Sequence, residues 1–181
     1  MSAKLLFAYG SLVNRASAAR ALGRRPIIND IVVADLVGYR LAWNSRQRIY
    51  ADSLGAEIDA MFLNIEPDAQ ATVPGVLLAV SDEELRQVER REQGYALVDV
   101  SAAVRTAGAT PSAPVTAFVS APAAAGGDAF LLDEYVEKVR QGWREFGADW
   151  LAKFERSLPA SPLPRIAGAY RFVDPAQRRL T

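Results

Sequence analysis

Apolar residues fall along the chain in short runs that change period, and the changes mark out the elements. Residues 5–9 are continuous and apolar, the pattern of a buried strand. Residues 15–22 are Ala-rich and close at Gly23, as a short helix with a glycine cap does. Between residues 31 and 43 apolar positions recur, and the alternation Tyr39-Arg40-Leu41-Ala42-Trp43 predicts a half-buried strand. Residues 58–65 and 73–80 predict further strands, with Pro74-Gly75 marking a bulge or a strand start. Ser81-Asp82-Glu83-Glu84 is a capping box, a hydroxyl at the N-cap with a carboxylate three residues on, and opens a helix to about Glu92 that Gly94 stops. Strands follow at 97–104 and 114–120. Small-residue stretches at 106–114 and 121–128 read as surface loops, because apolar patterning resumes after each. In 131–146, Leu132, Tyr135, Val136, Val139, Trp143 and Phe146 share one helical stripe, and after Gly147 a last helix begins with Trp150, Leu151 and Phe154. The sum is one α+β domain over residues 1–158, a mostly antiparallel sheet curved into a β-barrel and flanked by helices. An irregular C-terminal tail occupies residues 159–181.

Composition narrows what such a domain can do. The 181 residues are half hydrophobic, enough for one well-buried core and few for two. Basic and acidic residues balance at 21 each, which removes the electrostatic footprint of a nucleic-acid binder. The pairs Arg24-Arg25, Arg90-Arg91 and Arg178-Arg179 read as solvated surface. Histidine and cysteine are both absent. Ser-His-Asp and Cys-His nucleophilic systems, disulfides and nearly all structural zinc sites are therefore excluded. Acid–base chemistry must use Asp, Glu, Lys or Tyr, and Asp30, Asp35, Asp52, Asp59 and Asp68 are too scattered for a carboxylate metal loop. Residues 1–18 mimic a signal peptide, but Tyr9-Gly10-Ser11 interrupts the apolar stretch and Asn14-Arg15 precede the small-residue site. No stretch approaches the length that spans a bilayer. The expectation is a cytoplasmic protein without cofactor, membrane or nucleic-acid partner, as a monomer or homodimer.

Two places carry candidate chemistry. The first strand delivers the backbone into Tyr9-Gly10-Ser11-Leu12, where glycine permits positive φ and leaves no Cβ in the way of a ligand. Successive free N–H groups there suit a carboxylate or phosphate; a plain structural turn is the alternative. The second place is Glu92. At 100° per residue it falls between Leu85 and Val88, at the centre of the buried stripe of its helix. Burial and the negative end of the helix dipole both disfavour its charge, which raises its pKa as a general base requires. The competing reading pairs it with an arginine. Arg90 and Arg91 point elsewhere on the wheel, so that partner comes from another element. Tyr95, just past Gly94, is either a hydroxyl beside the carboxylate or a core-edge aromatic.

Taken together, Tyr9-Gly10-Ser11-Leu12 and Arg90-Arg91-Glu92-Gln93-Gly94-Tyr95 resemble the motifs of the γ-glutamylcyclotransferase-like superfamily, with a flavour of its ChaC-like branch. Gly38-Tyr39-Arg40-Leu41, Pro74-Gly75-Val76-Leu77 and the late helix with Tyr135 and Gly147 extend the similarity. Leu12 stands where many members carry Asn, and parts of the fuller ChaC pattern are missing. The resemblance implies a mixed β-barrel and a cofactor-free reaction. The α-amine of a γ-glutamyl compound attacks its own γ-carbonyl, releasing 5-oxoproline and an amine or amino acid. It implies Glu92 as the catalytic base, with Tyr9, Gly10, Ser11, Leu12 and Tyr95 holding the substrate. Proton transfer from an α-ammonium to an ordinary glutamate is uphill by about 5 kcal/mol, and an upward shift of the carboxyl pKa lowers that. Two other classes compete: a non-catalytic module binding a γ-glutamyl or other carboxylate ligand in the same cavity, and an interaction protein whose partner segment is the tail. Arg165, Tyr170 and Phe172 make that tail less polar than disordered tails are.

Overall fold

The computed structural model describes residues 4–107, 110–123 and 128–178. Strand β1 (Lys4–Ala8) lies at the middle of the sheet, because its continuous apolar run can be covered on both faces. It pairs antiparallel with β3 (Ala56–Val80), Leu6 opposite Leu78, and parallel with β6 (Val115–Ser120), Leu6 opposite Thr116. β3 forms a long hairpin with β2 (Val32–Ala51), whose register shifts between Val37 and Tyr39 and again between Trp43 and Ser45. β4 (Tyr95–Asp99) and β5 (Val104–Thr106) complete the order β4-β6-β1-β3-β2-β5. Beyond that path β7 (Ala129–Leu132) runs parallel to β3, β8 (Arg165–Ile166) parallel to β7, and β9 (Tyr170–Phe172) antiparallel to β2. The helices are α1 (Arg15–Leu22), α2 (Asp82–Arg91), α3 (Asp133–Arg144), α4 (Ala148–Ser157) and the short α5 (Pro175–Arg178). This is the expected α+β architecture, a curved and mostly antiparallel sheet with flanking helices.

Local signals set several boundaries where the sequence puts them. The capping box closes in both directions: the Glu84 N–H donates to Ser81 Oγ at 3.2 Å, and the Ser81 N–H to Glu84 Oε2 at 2.7 Å. Gly23 ends α1 in the left-handed region at φ 71°. Asn14 caps the start of α1, its Oδ1 accepting from the Ala16 and Ser17 N–H groups at 3.1 Å. Its Nδ2 donates to the Lys138 carbonyl at 3.1 Å, which ties α1 to α3. Where β1 has ended, the buried Asn64 amide bridges β3 to the end of β6, bonding both the N–H and the carbonyl of Ser120 at 2.9 Å.

Other expectations are corrected. β2 and β3 extend well past the apolar segments, since Arg46 and Arg48 face Asp59 across the hairpin and satisfy a polar stretch to which the apolar pattern assigns no element. Pro74-Gly75 is neither bulge nor strand start: Pro74 lies in register opposite Asp35, and Gly75 is where the Phe7 ring covers the backbone. The strand expected at 97–104 is two strands separated by a turn. Leu131 and Leu132 belong to β7, so α3 begins at Asp133. The stretch after Pro159 contributes β8, β9 and α5 to the sheet and its helical cover. Parts of the two expected loops (108–109 and 124–127) lie outside the described residues, as do 1–3 and 179–181. No helix among the described residues is long and apolar enough to cross a membrane.

The joint between α3 and the loop before α1 fixes the helices over the sheet. Trp143, fully buried, stacks on Trp150 and Phe154 with ring centroids 6.1 and 5.8 Å away. One turn of backbone nearby, Gly142 lies so close to Asn14 that a Cβ there would come within 2.6 Å of its backbone nitrogen. Backbone cannot yield as a flexible side chain does. Gly142→Ala is therefore expected to destabilise the fold by about 1–3 kcal/mol, read as a lower midpoint in denaturant unfolding.

Candidate active site

Past Ala8 the chain leaves the sheet through Tyr9 and Gly10 into a tight 3-10 turn, Ser11–Val13. The turn is closed by the Val13 N–H bonding the Gly10 carbonyl at 3.0 Å and the Asn14 N–H bonding the Ser11 carbonyl at 3.1 Å. The N–H groups of Ser11 and Leu12 open that turn, where no earlier carbonyl can reach them, and they make no hydrogen bond among the described residues. Gly10 has φ −108°, so the positive φ expected there is not used. What glycine leaves is space: a Cβ would stand 3.0 Å from the Tyr135 hydroxyl, close enough that the tyrosine would have to give by a few tenths of an ångström.

Glu92 takes the position the helical wheel assigns it. It caps the C-terminus of α2, its N–H still bonded to the Val88 carbonyl at 2.9 Å, with Leu85 and Val88 buried on the same face. About 20% of its side-chain surface remains exposed. Burial raises its pKa, and the Arg91 guanidinium opposes that without reversing it. Arg91 is a correction to the sequence reading. Its side chain is only 10% exposed, its Nε lies 3.9 Å from Glu92 Oε1, and it donates to Ser17 Oγ at 3.1 Å and the Ser17 carbonyl at 3.3 Å. It belongs to the pocket and not to the solvated surface. Its hydrogen bonds go to Ser17, and the contact with Glu92 is longer than a hydrogen bond.

Three tyrosines complete the wall. Tyr9 donates to the Phe118 carbonyl at 2.5 Å and Tyr95 to the Leu63 carbonyl at 3.1 Å; Tyr135 also bonds Leu63. Burial foremost, then the neighbouring tyrosines and Glu92, pushes the hydroxyls of Tyr9 and Tyr135 upward; burial and then Glu92 do the same for Tyr95. All three stay neutral at physiological pH. A hydroxyl whose proton is committed to a carbonyl still has lone pairs with which to accept.

Glu92, Tyr9, Gly10, Ser11, Leu12 and Tyr95 all line one pocket, which encloses about 850 Å³ with its open mouth included. Tyr135, Arg20, Lys138, Gln47, Tyr170 and Gln177 line it too and were not singled out as site residues from sequence. Tyr135 shows there as one member of a core stripe and as part of the late helix that extends the resemblance, and Tyr170 and Gln177 come from the segment that reads as tail. No three acidic side chains gather among the described residues in a way that would hold a metal ion.

No family model matches the sequence, and no curated protein matches it either. Solved structures do match. A gamma-glutamyl cyclotransferase superposes with a TM-score of 0.66 at 15% identity, over 88% of this chain and 90% of that one. A human protein described as uncharacterized gives 0.59 at 16% identity, over 89% and 91% of the two chains. YkqA from Bacillus subtilis gives 0.59 at 20% identity, over 91% of this chain and 56% of its own. The chain thus has the γ-glutamylcyclotransferase-like fold.

The raised carboxyl pKa has a consequence for stability. A folded-state pKa above the unfolded one gives stabilisation that is complete below the unfolded pKa and is lost as pH rises through the folded pKa. Glu92→Gln removes that loss. Its melting temperature relative to the unsubstituted protein is therefore expected to rise as pH is raised from the ordinary glutamate value of 4.5 upward through the folded-state pKa, read in thermal unfolding.

Proposed function

We propose that this protein is a γ-glutamylcyclotransferase-type enzyme with Glu92 as its base. The observation carrying the reading is that one inward, desolvated carboxylate shares a pocket with the first-strand turn whose leading N–H groups are unengaged. A γ-glutamyl compound presents an ammonium, an α-carboxylate and an amide carbonyl. Glu92 and the hydroxyl oxygens of the tyrosines accept from the ammonium. The Ser11 and Leu12 N–H groups supply donors for the carboxylate or for the oxyanion that develops on the carbonyl.

The reaction needs nothing else. The amine nitrogen forms a bond to the γ-carbonyl carbon, closing a five-membered lactam, and the original C–N amide bond breaks. Two protons leave the attacking nitrogen and two arrive on the departing one, so no net acid or base is consumed when the amine leaves as ammonium. Glu92 takes one proton from the first nitrogen and returns it to the second, which a carboxyl of raised pKa does with less uphill cost than an ordinary one, and the other proton lost and the other gained exchange with solvent water.

Arg91, 3.9 Å from Glu92, favours a second reading, in which the carboxylate stays ionised and the pocket holds a γ-glutamyl or related carboxylate ligand without turning it over. The two readings separate in one assay. Mass spectrometry after incubation with a panel of γ-glutamyl dipeptides, γ-glutamyl amines and glutathione is expected to show 5-oxoproline, with release falling by about 10²–10⁴-fold in Glu92→Gln. Saturable binding without turnover supports the module instead, and near-normal turnover by the variant contradicts Glu92 as base. The acid limb of the kcat/KM profile is expected to fall above the ordinary glutamate value of 4.5.

A further inference from the structure

A buried guanidinium with a carboxylate beside it ordinarily closes on that carboxylate, because an ionised acceptor bonds more strongly than a neutral one. Arg91 does not. Its Nη1 donates to the Ser17 carbonyl at 3.3 Å and its Nη2 to Ser17 Oγ at 3.1 Å, while its Nε stands 3.9 Å from Glu92 Oε1. Successive side chains on a helix project about 100° apart, so Arg91 leans across to α1 while Glu92 faces the pocket. Ser17 lies on α1, is 1% exposed and does not line the pocket. The proposed chemistry gives it no task.

The position of Ser17 is itself fixed. Its N–H donates to Asn14 Oδ1 at 3.1 Å, and the Asn14 N–H bonds the Ser11 carbonyl at 3.1 Å. Asn14 Nδ2 donates to the Lys138 carbonyl at 3.1 Å. One run of hydrogen bonds therefore passes from the first-strand turn through Asn14 and Ser17 to the guanidinium beside Glu92. The other ionisable groups around the carboxylate do not duplicate Arg91. Tyr9 past β1, Tyr95 on β4 and Tyr135 on α3 present neutral hydroxyls, and Tyr170 on β9 with the cations Arg20 on α1 and Lys138 on α3 complete the ionisable lining. Of the cations among the described residues, Arg91 is the one whose charge bears on Glu92.

We propose that Ser17 is a positioning residue for the base: by engaging both terminal nitrogens of Arg91 it holds the guanidinium off the Glu92 carboxylate and leaves that carboxylate free to take a proton. Without the Ser17 hydroxyl, Nη2 loses its partner in a setting where only 10% of the Arg91 side chain is exposed, and the Glu92 carboxylate is within reach. The guanidinium then turns onto Glu92, and the pair that forms favours the ionised carboxylate and makes it a weaker base. The inference rests on the cyclotransferase reading for calling Glu92 the base. The arrangement of Ser17, Arg91 and Glu92 is testable without turnover.

The test is a double-mutant cycle on the Glu92 carboxyl, read by ¹³C NMR titration in the unsubstituted protein, Ser17→Ala, Arg91→Met and Ser17→Ala/Arg91→Met. Ser17→Ala is expected to lower the titration midpoint by about 1 pH unit or more. Arg91→Met is expected to raise the midpoint further in the Ser17→Ala background than with Ser17 present, by that same margin. Ser17→Cys keeps the volume with a weaker acceptor and is expected to shift the midpoint in the same direction, which covers the case where alanine loosens α1. The acid limb of kcat/KM for 5-oxoproline release is expected to move to lower pH with the midpoint, and the plateau to fall by up to about tenfold. An unchanged midpoint in both Ser17 variants, or a fall that persists in Ser17→Ala/Arg91→Met, overturns the inference and leaves the cyclotransferase reading intact. Loss of the folded state in both Ser17 variants marks Ser17 as a structural residue and likewise overturns it. The expected fall, in a protein that releases no 5-oxoproline from the panel of γ-glutamyl compounds, supports the positioning of Arg91 and contradicts the cyclotransferase reading.

Discussion

A carboxylate at the inward end of a helix is expensive unless something answers its charge, and that constraint organises this structure. α2 directs Leu85 and Val88 into the core and then sets Glu92 on the same face, where the last carbonyls of the helix also disfavour a negative charge. About four-fifths of its side-chain surface is covered, and the nearest cation stands at 3.9 Å, its two terminal nitrogens bonded to Ser17. The result is a carboxyl held above its ordinary pKa by burial, with the guanidinium limiting the rise. Had Arg91 closed a bidentate bond on Glu92, the same position would hold an inert ion pair.

The surroundings follow from keeping that group accessible to a small ligand. β1 stops at Ala8, and the chain beyond it makes a 3-10 turn against α3. The close approach of Gly142 to Asn14, and the Asn14 bond to the Lys138 carbonyl, hold α3 in place, so Tyr135 and Lys138 reach the pocket from one side. Tyr9 and Tyr95 spend their protons on the carbonyls of Phe118 and Leu63, in the two strands that Asn64 and Ser120 clamp together. The polar groups that line the pocket are thus set by backbone positions the sheet itself determines, which fixes their geometry in advance.

Local sequence signals gave the parts that depend on a few neighbouring residues. The capping box, the glycine end of α1 and the azimuth of Glu92 needed only spacing, and the structure reproduces them. The long β2–β3 hairpin was not legible, because its outer half is polar and is held by cross-strand pairs such as Arg48 with Asp59, invisible to a pattern of hydrophobicity. Of the two grounds for picking out Gly10 the positive φ fails, since its φ is −108°, and the space left by its missing Cβ is bounded by Tyr135, distant in sequence. Arg91 was misread for a related cause. A helical wheel places its Cα, but a long side chain near a helix end can fold back to Ser17 on another helix. The cationic wall and the role of residues after Pro159 are likewise products of packing among segments far apart in the chain.

The central claim concerns which influence governs one carboxyl group, desolvation or the neighbouring guanidinium. A ¹³C NMR titration of the folded protein, with the Glu92 resonance assigned by its loss in Glu92→Gln, measures that balance directly. The account predicts a midpoint above the ordinary glutamate value of 4.5. A midpoint at or below that value would show Arg91 in control and contradict it.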